Sequence, residues 1–256
     1  PDTGENQDSE KGKEINGKVE INHEASFAEA SWDTIAKNVK AGKSNLYNVG
    51  DEKEVEIDGT SYTVRLANNT KPDECNGTDF SQTACGFVVE FVDIVERRAM
   101  NSTGTNVGGW PATTMRTYAN GDFFNKLPED LRNVIIDTKV ISGHGSTAGE
   151  TNFTSTDKIY LLSAHEVYEN GTSNNVLTSD TAYNNTRQLD YYKSKGVTTN
   201  NYSGAIKLYN SENYYWWVRV ASSYDSSNFL IIINKGSWSN DAAYRTSGFA
   251  PAFRIG

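Results

Sequence analysis

Apolar residues in this 256-residue chain come in short runs broken by Gly, Asn, Ser and Thr, and no run approaches the ~20 residues that span a bilayer. That punctuation limits the chain to short strands, a few helices and long loops. In "EVEIDGTSYTVRLAN", two alternating runs flank Asp58-Gly59, a hairpin signal. "GFVVEFVDIVERRAM" reads as one long, central strand, "DKIYLLS" as another, and the chain from "YYWWVRVASS" onward is strand-rich. Helices are expected in four places. In "SWDTIAKNVKAGK", Ser31 caps, Trp32, Ile35, Ala36 and Val39 share a face, and Gly42 stops the turn. "GGWPATTMRTYANGDFFNKLPEDLRNVI" reads as helix, break and a second helix from Pro128. "SAHEVYEN" is a helical turn, and "NTRQLDYYKSKG" is a helix ending at Gly196. Strands and helices that do not alternate give α+β, not α/β.

Residues 1–24 hold seven acidic and three basic side chains and few apolar ones. Residues 1–26 therefore read as a flexible acidic spacer, with a strand at "KVEI" as the alternative. Residues 27–256 are read as one domain. The net charge of −9 opposes binding to nucleic acid or an anionic membrane surface. No direct membrane insertion is expected.

Cys75 and Cys85 lie in "DECNGTDFSQTACGF". Two cysteines without nearby His or Cys do not make a zinc site, so a loop-stapling disulfide is the favoured reading, with two free buried thiols the alternative. A disulfide implies an extracellular or cell-surface setting. His23, His144 and His165 have no metal-ligand spacing to one another. "GHGS" around His144 reads as a solvated loop, and "GTNVGG" lacks the lysine and the strand-turn-helix context of a phosphate loop. GxSxG and HExxH are absent. Neither a catalytic residue, a metal nor a cofactor is assigned.

Residues 222–247 pose a different problem. Fourteen of these 26 residues are Ser, Asn, Asp or Tyr, set among apolar and aromatic anchors. "LLSAHEVY", "TRQLDYYKSKGV", "WWVRVASS" and "GFAPAFRIG" carry a resemblance that runs from "SWDTIAKNVKAGK" to the C-terminus. The chain resembles bacterial and phage-type surface domains with a C-type lectin-like fold, in the branch related to formylglycine-generating enzymes. It is similar to the variable proteins of diversity-generating retroelements, which rewrite adenines in a C-terminal segment of a fixed scaffold. The resemblance implies a twisted antiparallel sheet near the C-terminus and a non-catalytic, surface-displayed receptor or adhesin. It would bind a protein or other surface ligand and act as a monomer. Adenine changes in an Asn codon reach Ser, Tyr, Asp, Ile and Leu but not Lys or Trp. Lys235 and Trp238 are accordingly assigned to scaffold.

The binding face expected from this reading comprises Ser222, Ser223, Tyr224, Asp225, Ser226, Asn228, Leu230, Ile232, Asn234, Ser237, Ser239, Asn240, Asp241, Tyr244, Arg245 and Ser247. Strand alternation puts Leu230, Ile232 and Asn234 outside and Phe229, Ile231 and Ile233 in the core. Tyr224, Tyr244 and Arg245 are the expected hot spots. Trp216, Trp217, Phe229, Gly236, Trp238, Gly248 and Phe253 are expected to be scaffold. Two departures limit the resemblance. "WSND" at 238–241 comes without the EPN or QPD tripeptide of calcium-dependent sugar binding. No cysteine follows Cys85, so the active-site cysteine pair of the formylglycine-generating enzymes is missing. The other functional classes considered are a secreted enzyme acting on surface glycan or peptide, and a structural pilus or stalk domain.

Overall fold

The structure is a computed structural model that describes residues 25–169 and 175–256, with backbone alone at 175 and 177. Before them it gives the backbone of two short paired strands, β1 (Glu14–Ile15) and β2 (Lys18–Val19). Apart from that ladder and the exposed residues 25–26, the expected spacer, His23 included, lies outside the described residues. Phe27 is buried against Trp32, Tyr47 and Phe87.

The first helix, Trp32–Lys40, follows its sequence signals. Ser31 Oγ accepts from the Thr34 N–H at 3.2 Å, Trp32, Ile35 and Ala36 are buried, and Gly42 takes φ +72°. The Asp58-Gly59 hairpin joins β3 (Glu52–Ile57) to β4 (Thr60–Asn68), with φ of 51° and 79° at its two central residues. Positive φ at both positions matches strand twist.

The long run at 86–100 is divided. It forms β5 (Val88–Phe91) and β6 (Glu96–Ala99), with a bend between them. Later come β7 (Thr138–Ser142), β8 (Phe153–Asp157), β9 (Ile159–Tyr160), β10 (Lys207–Tyr209) and β11 (Glu212–Tyr214). The C-terminal strands are β12 (Trp216–Ala221), β13 (Asn228–Ile232), β14 (Trp238–Ala242), β15 (Thr246–Phe249) and β16 (Ala252–Arg254). Two five-stranded sheets result, ordered β3-β4-β5-β16-β9 and β14-β13-β12-β15-β6. β16 pairs with β5 and β15 with β6, both antiparallel. The segments 88–99 and 246–254 therefore form one ribbon that bends and feeds both sheets. β5 is central in its sheet, whereas β6 is an edge. The C-terminal sheet is antiparallel except for one parallel pair, β12 with β15. The class is α+β.

One expected helix and one expected strand shorten. The helix in "NTRQLDYYKSKG" spans only Asp190–Ser194. The preceding residues are extended because their side chains serve other segments. Gln188 Nε2 donates to the Val167 and Val197 carbonyls, and Arg187 donates to Asn68, Ala84 and Asp190. "DKIYLLS" pairs only at Ile159–Tyr160. Its Leu162 carbonyl then accepts from Arg219 N–H.

Two ion networks lie inside the core. Arg219 grips Glu166 with two nitrogens at 2.7 and 2.6 Å and also donates to the Leu161 carbonyl. Burial alone would raise the Glu166 carboxyl, but Arg219, Thr83 and the Ser163 N–H hold it below its ordinary range. In the other network, Glu90 takes Arg65, Tyr192 and Lys207. Burial pushes the Lys207 ammonium down to about 8, with Glu90 opposing. "LLSAHEVY", "TRQLDYYKSKGV" and "WWVRVASS" thus meet around buried charge. Such groups are tolerated only when fully partnered.

Cys75 and Cys85 form a disulfide, Sγ–Sγ 2.07 Å. Trp216, Trp217, Phe229 and Phe253 are buried, as expected of scaffold, while Trp238 is half-buried at the sheet edge. A Cβ at Gly248 would meet Ile94 Cδ1 at 2.6 Å. One at Gly236, where φ is +89°, would collide with the Tyr202 carbonyl oxygen.

Candidate functional site

The loop at 222–228 is folded by its own carboxylate. Asp225 Oδ1 accepts from the N–H groups of Ser227 and Asn228 at 2.8 and 2.7 Å and from Ser227 Oγ at 3.0 Å. This is the short-range bonding that makes Asp a turn residue. The loop is then tied down from outside. The buried Asn106 amide donates to the Ser222, Asp225 and Asn228 carbonyls at 3.1, 2.8 and 2.8 Å, sharing two protons among three acceptors. Asn106 N–H donates to the Ser226 carbonyl, and Ser223 N–H to that of Ser179. Held by its main chain, the loop leaves Tyr224 and Ser226 pointing to solvent.

A second loop, 242–246, joins the first. Ala243 N–H donates to the Ser227 carbonyl, and Asn101 N–H to that of Ala243, both at 2.9 Å. The Tyr244 ring stands beside Gly104, where a Cβ would lie 3.2 Å from it. The exposed large apolar side chains among the described residues are Val107 (55%), Tyr215 (39%), Tyr224 (62%) and Tyr244 (51%). Three of these four sit on the surface made by loops 101–107, 222–228 and 242–246.

Of the sixteen residues expected on the binding face, Tyr224, Ser226, Asn240, Tyr244 and Arg245 are exposed. Ser223, Asp225, Asn228, Asn234, Ser237, Ser239 and Asp241 are half-buried. Ser222, Leu230, Ile232 and Ser247 are buried, which corrects the sequence reading. Leu230 and Ile232 are buried because β13 lies between β12 and β14 and is covered on both faces, so Phe229 and Ile231 are buried as well. Phe229–Ile233 is an unbroken apolar run, the pattern of a strand buried on both sides, and alternation does not apply to it. Ser222 lies under its loop, and Ser247 sits inside the β15–β6 ladder opposite Arg98.

The expected face is also divided. Asn228 pairs with Ala242 at one end of the β13–β14 ladder, and Ile232 with Trp238 at the other. Four residue steps put roughly 14 Å between the tyrosine loops and the hairpin carrying Asn234 and Ser237. β14, with Ser239, Asn240 and Asp241, runs between the two ends as an edge strand. Sequence reasoning missed Val107, Gly104 and Thr178, whose hydroxyl bonds that of Tyr224. The only signal for the first two was the Gly- and Asn-rich composition of "NSTGTNVGG".

The buried titratable groups are committed to one another. Ser163 links two buried carboxyls, donating its N–H to Glu166 at 2.9 Å and its hydroxyl to Asp180 at 3.1 Å. Burial pushes the Asp180 carboxyl up while Glu166 is held down. Both are sealed in the core, at 3% and 0% exposure, and Arg219 occupies both oxygens of Glu166. His165 stacks on Tyr183 at 3.8 Å, with Nδ1 2.7 Å from the Tyr183 carbonyl, and His144 N–H donates to Thr181 Oγ1. Among the described residues, no group of three or more His, Cys, Asp or Glu is arranged to hold a metal ion. No helix among them is long and apolar enough to cross a membrane.

Residues 88–256 match a family described as a domain of unknown function, DUF6273. The chain belongs to that family, and the matched region starts at β5 and contains all of the C-terminal sheet. No curated protein and no solved structure matches it.

Proposed function

We propose that this protein is a non-catalytic, surface-displayed ligand-binding receptor or adhesin. Its scaffold is of the C-type lectin-like kind, and retroelement-driven diversification falls on the exposed part of 222–247. The observation that carries the reading is how loop 222–228 is held. Its main chain is fixed by Asn106 and by the Ser179 carbonyl, so Ser226 can change without loss of that support and Tyr224 at the cost of its hydroxyl contact with Thr178 alone. Tyr, Ser, Asn and Arg at the exposed positions are the residue types that supply contact area and adaptable hydrogen bonds in antibody paratopes. The Cys75–Cys85 disulfide is compatible with an extracellular setting.

Burial narrows the diversified set to Tyr224, Ser226, Asn240, Tyr244 and Arg245, with half-buried neighbours on β14. The test lies in the encoding DNA. A neighbouring reverse transcriptase gene and a near-copy of the 3′ segment are expected, differing only at adenines in the codons of these positions. Differences concentrated at Leu230 and Ile232 would defeat the reading, as would the absence of any such copy. The complementary experiment randomises the five exposed positions in one display library and Ser222, Leu230, Ile232 and Ser247 in another. Folded protein should be retained only in the first.

A further inference from the structure

Beside the tyrosine loops, at the free edge of β6, lies a groove of about 440 Å³ that includes Arg97, Arg98, Asn101, Ser102, Thr114 and Thr246 in its lining. It falls within the size range of ligand pockets. Its charge runs against that of the chain, whose net charge is −9. Arg97 and Arg98 both line it, and Glu96 lies 3.8 Å from Arg98 Nη1. Arg245 directly precedes Thr246, which pairs with Ala99 across the ladder.

Both arginines are held by aromatic rings. Arg98 lies 3.6 Å from the Tyr118 ring centroid. Arg97 donates to the Tyr214 hydroxyl at 3.0 Å and stands 5.3 and 5.6 Å from the Tyr214 and Tyr209 rings. Stacking restrains each guanidinium yet uses few of its five donors. Among the described residues, Arg98 has no charged partner closer than Glu96, so its donor fork is largely unspent. Asn101 N–H donates to the Ala243 carbonyl, tying the wall of the groove to the Tyr244 loop.

We infer that this groove is the anchor subsite of the display surface, and that it takes the carboxylate of an Asp or Glu side chain on a protein ligand. The inference rests on the display reading above and specifies the partner chemistry. An oriented guanidinium receives a planar carboxylate through paired hydrogen bonds, and charge assistance makes these stronger than neutral ones. Ser102 and Thr246 add exposed hydroxyls at the rim. Tyr244 would cover the adjoining part of the ligand.

The test is an NMR titration of the whole chain with N-acetylglutamate methylamide and, as its neutral control, N-acetylglutamine methylamide. The carboxylate probe should give saturable shifts at the Arg97 and Arg98 Nε–H signals and at the Ala99, Asn101 and Thr246 amides. The amide probe should give none. Arg98→Gln should weaken the carboxylate probe about tenfold, the loss expected for one charge-assisted contact. Arg97→Gln supplies a second variant that leaves the Arg98–Tyr118 stack intact, and it too should weaken binding. Equal shifts with both probes, shifts mapping elsewhere, or unchanged binding in both variants would overturn the assignment. Tighter binding of inorganic sulfate than of the carboxylate probe would overturn the choice of a carboxylate. Failure of the display reading would be seen separately. Protein binders selected from a library would then keep their affinity after Tyr224→Ala and Tyr244→Ala.

Discussion

Residues 222–228 and 228–232 are continuous in sequence, and the structure puts them to opposite uses. The first is a polar loop whose main chain is held by Asp225, Asn106 and the 178–179 segment, leaving Tyr224 and Ser226 in solvent. The second is a strand held by ladders on both sides, with Phe229, Leu230, Ile231 and Ile232 all buried. Positions can vary where other groups support the backbone, as at Ser226 but not at Asp225. Where the side chains themselves are the support, they cannot. The contrast makes one 26-residue stretch part display and part core.

The sharpest way to break the contrast is to attack what the strand rests on. β13 pairs with β12, which carries Arg219. Arg219→Met would leave Glu166 buried without its cation, and a loss of about 3–5 kcal/mol is expected. Chemical denaturation should show it as a fall in midpoint at unchanged slope. Wild-type stability should be similarly sensitive to acid. Glu166 and Glu90 are both held below their ordinary 4.5 in the folded protein. The unfolded chain therefore takes protons first. Stability should be full above that ordinary value and should fall progressively as pH drops below it. A melting temperature independent of pH from about 5 to 2 would contradict the burial and pairing described here.

Next in size is the strand itself. Leu230→Ala should cost about 2–5 kcal/mol, as for a large core side chain cut to Ala. Had alternation held and Leu230 faced solvent, the cost would be near zero, so equilibrium unfolding decides between the two registers directly.

Asn106→Ala should cost less, about 1–3 kcal/mol, because it strands carbonyls under a surface loop. Its distinctive signature is local. Hydrogen exchange should accelerate at the Ser227 and Asn228 amides while β13 stays protected. Equal loosening of β13 would show that the loop and the strand are one unit.

The smallest stability effect belongs to the display positions. Tyr224→Ala and Tyr244→Ala should each change stability by no more than about 0.5 kcal/mol. The same changes should weaken library-selected binders by tenfold or more, as loss of a tyrosine hot spot does. A large loss of stability without loss of binding would move these tyrosines from display to scaffold.

Local signals were legible where the local chain determines the conformation. Ser31 through Gly42 gives the first helix, Asp58-Gly59 gives the first hairpin, and two lone cysteines give the disulfide. Each depends on contacts within about a dozen residues. The candidate site was legible in composition, through the crowding of Ser, Asn, Asp and Tyr in 222–247. Which of those residues reach solvent was not, because Leu230 and Ile232 owe their burial to neighbours on both faces of a sheet. The run at 86–100 reads as one strand because it is rich in Val, Ile and Phe. Its division between two sheets depends on the partner segment at 246–254.

The linear chain specifies the α+β class, the turn at Asp58-Gly59, the disulfide partners and the aromatic anchors Trp216, Trp217, Phe229 and Phe253. Propensity, turn chemistry and side-chain size act over short range, so a linear reading captures them. Packing of the two sheets is what brings Glu166 to Arg219, lets Asn106 hold a loop more than a hundred residues away, and sets Arg97 and Arg98 beside the tyrosine loops. These are contacts between distant segments. Their partners are fixed by sheet order, which no single stretch of the chain encodes.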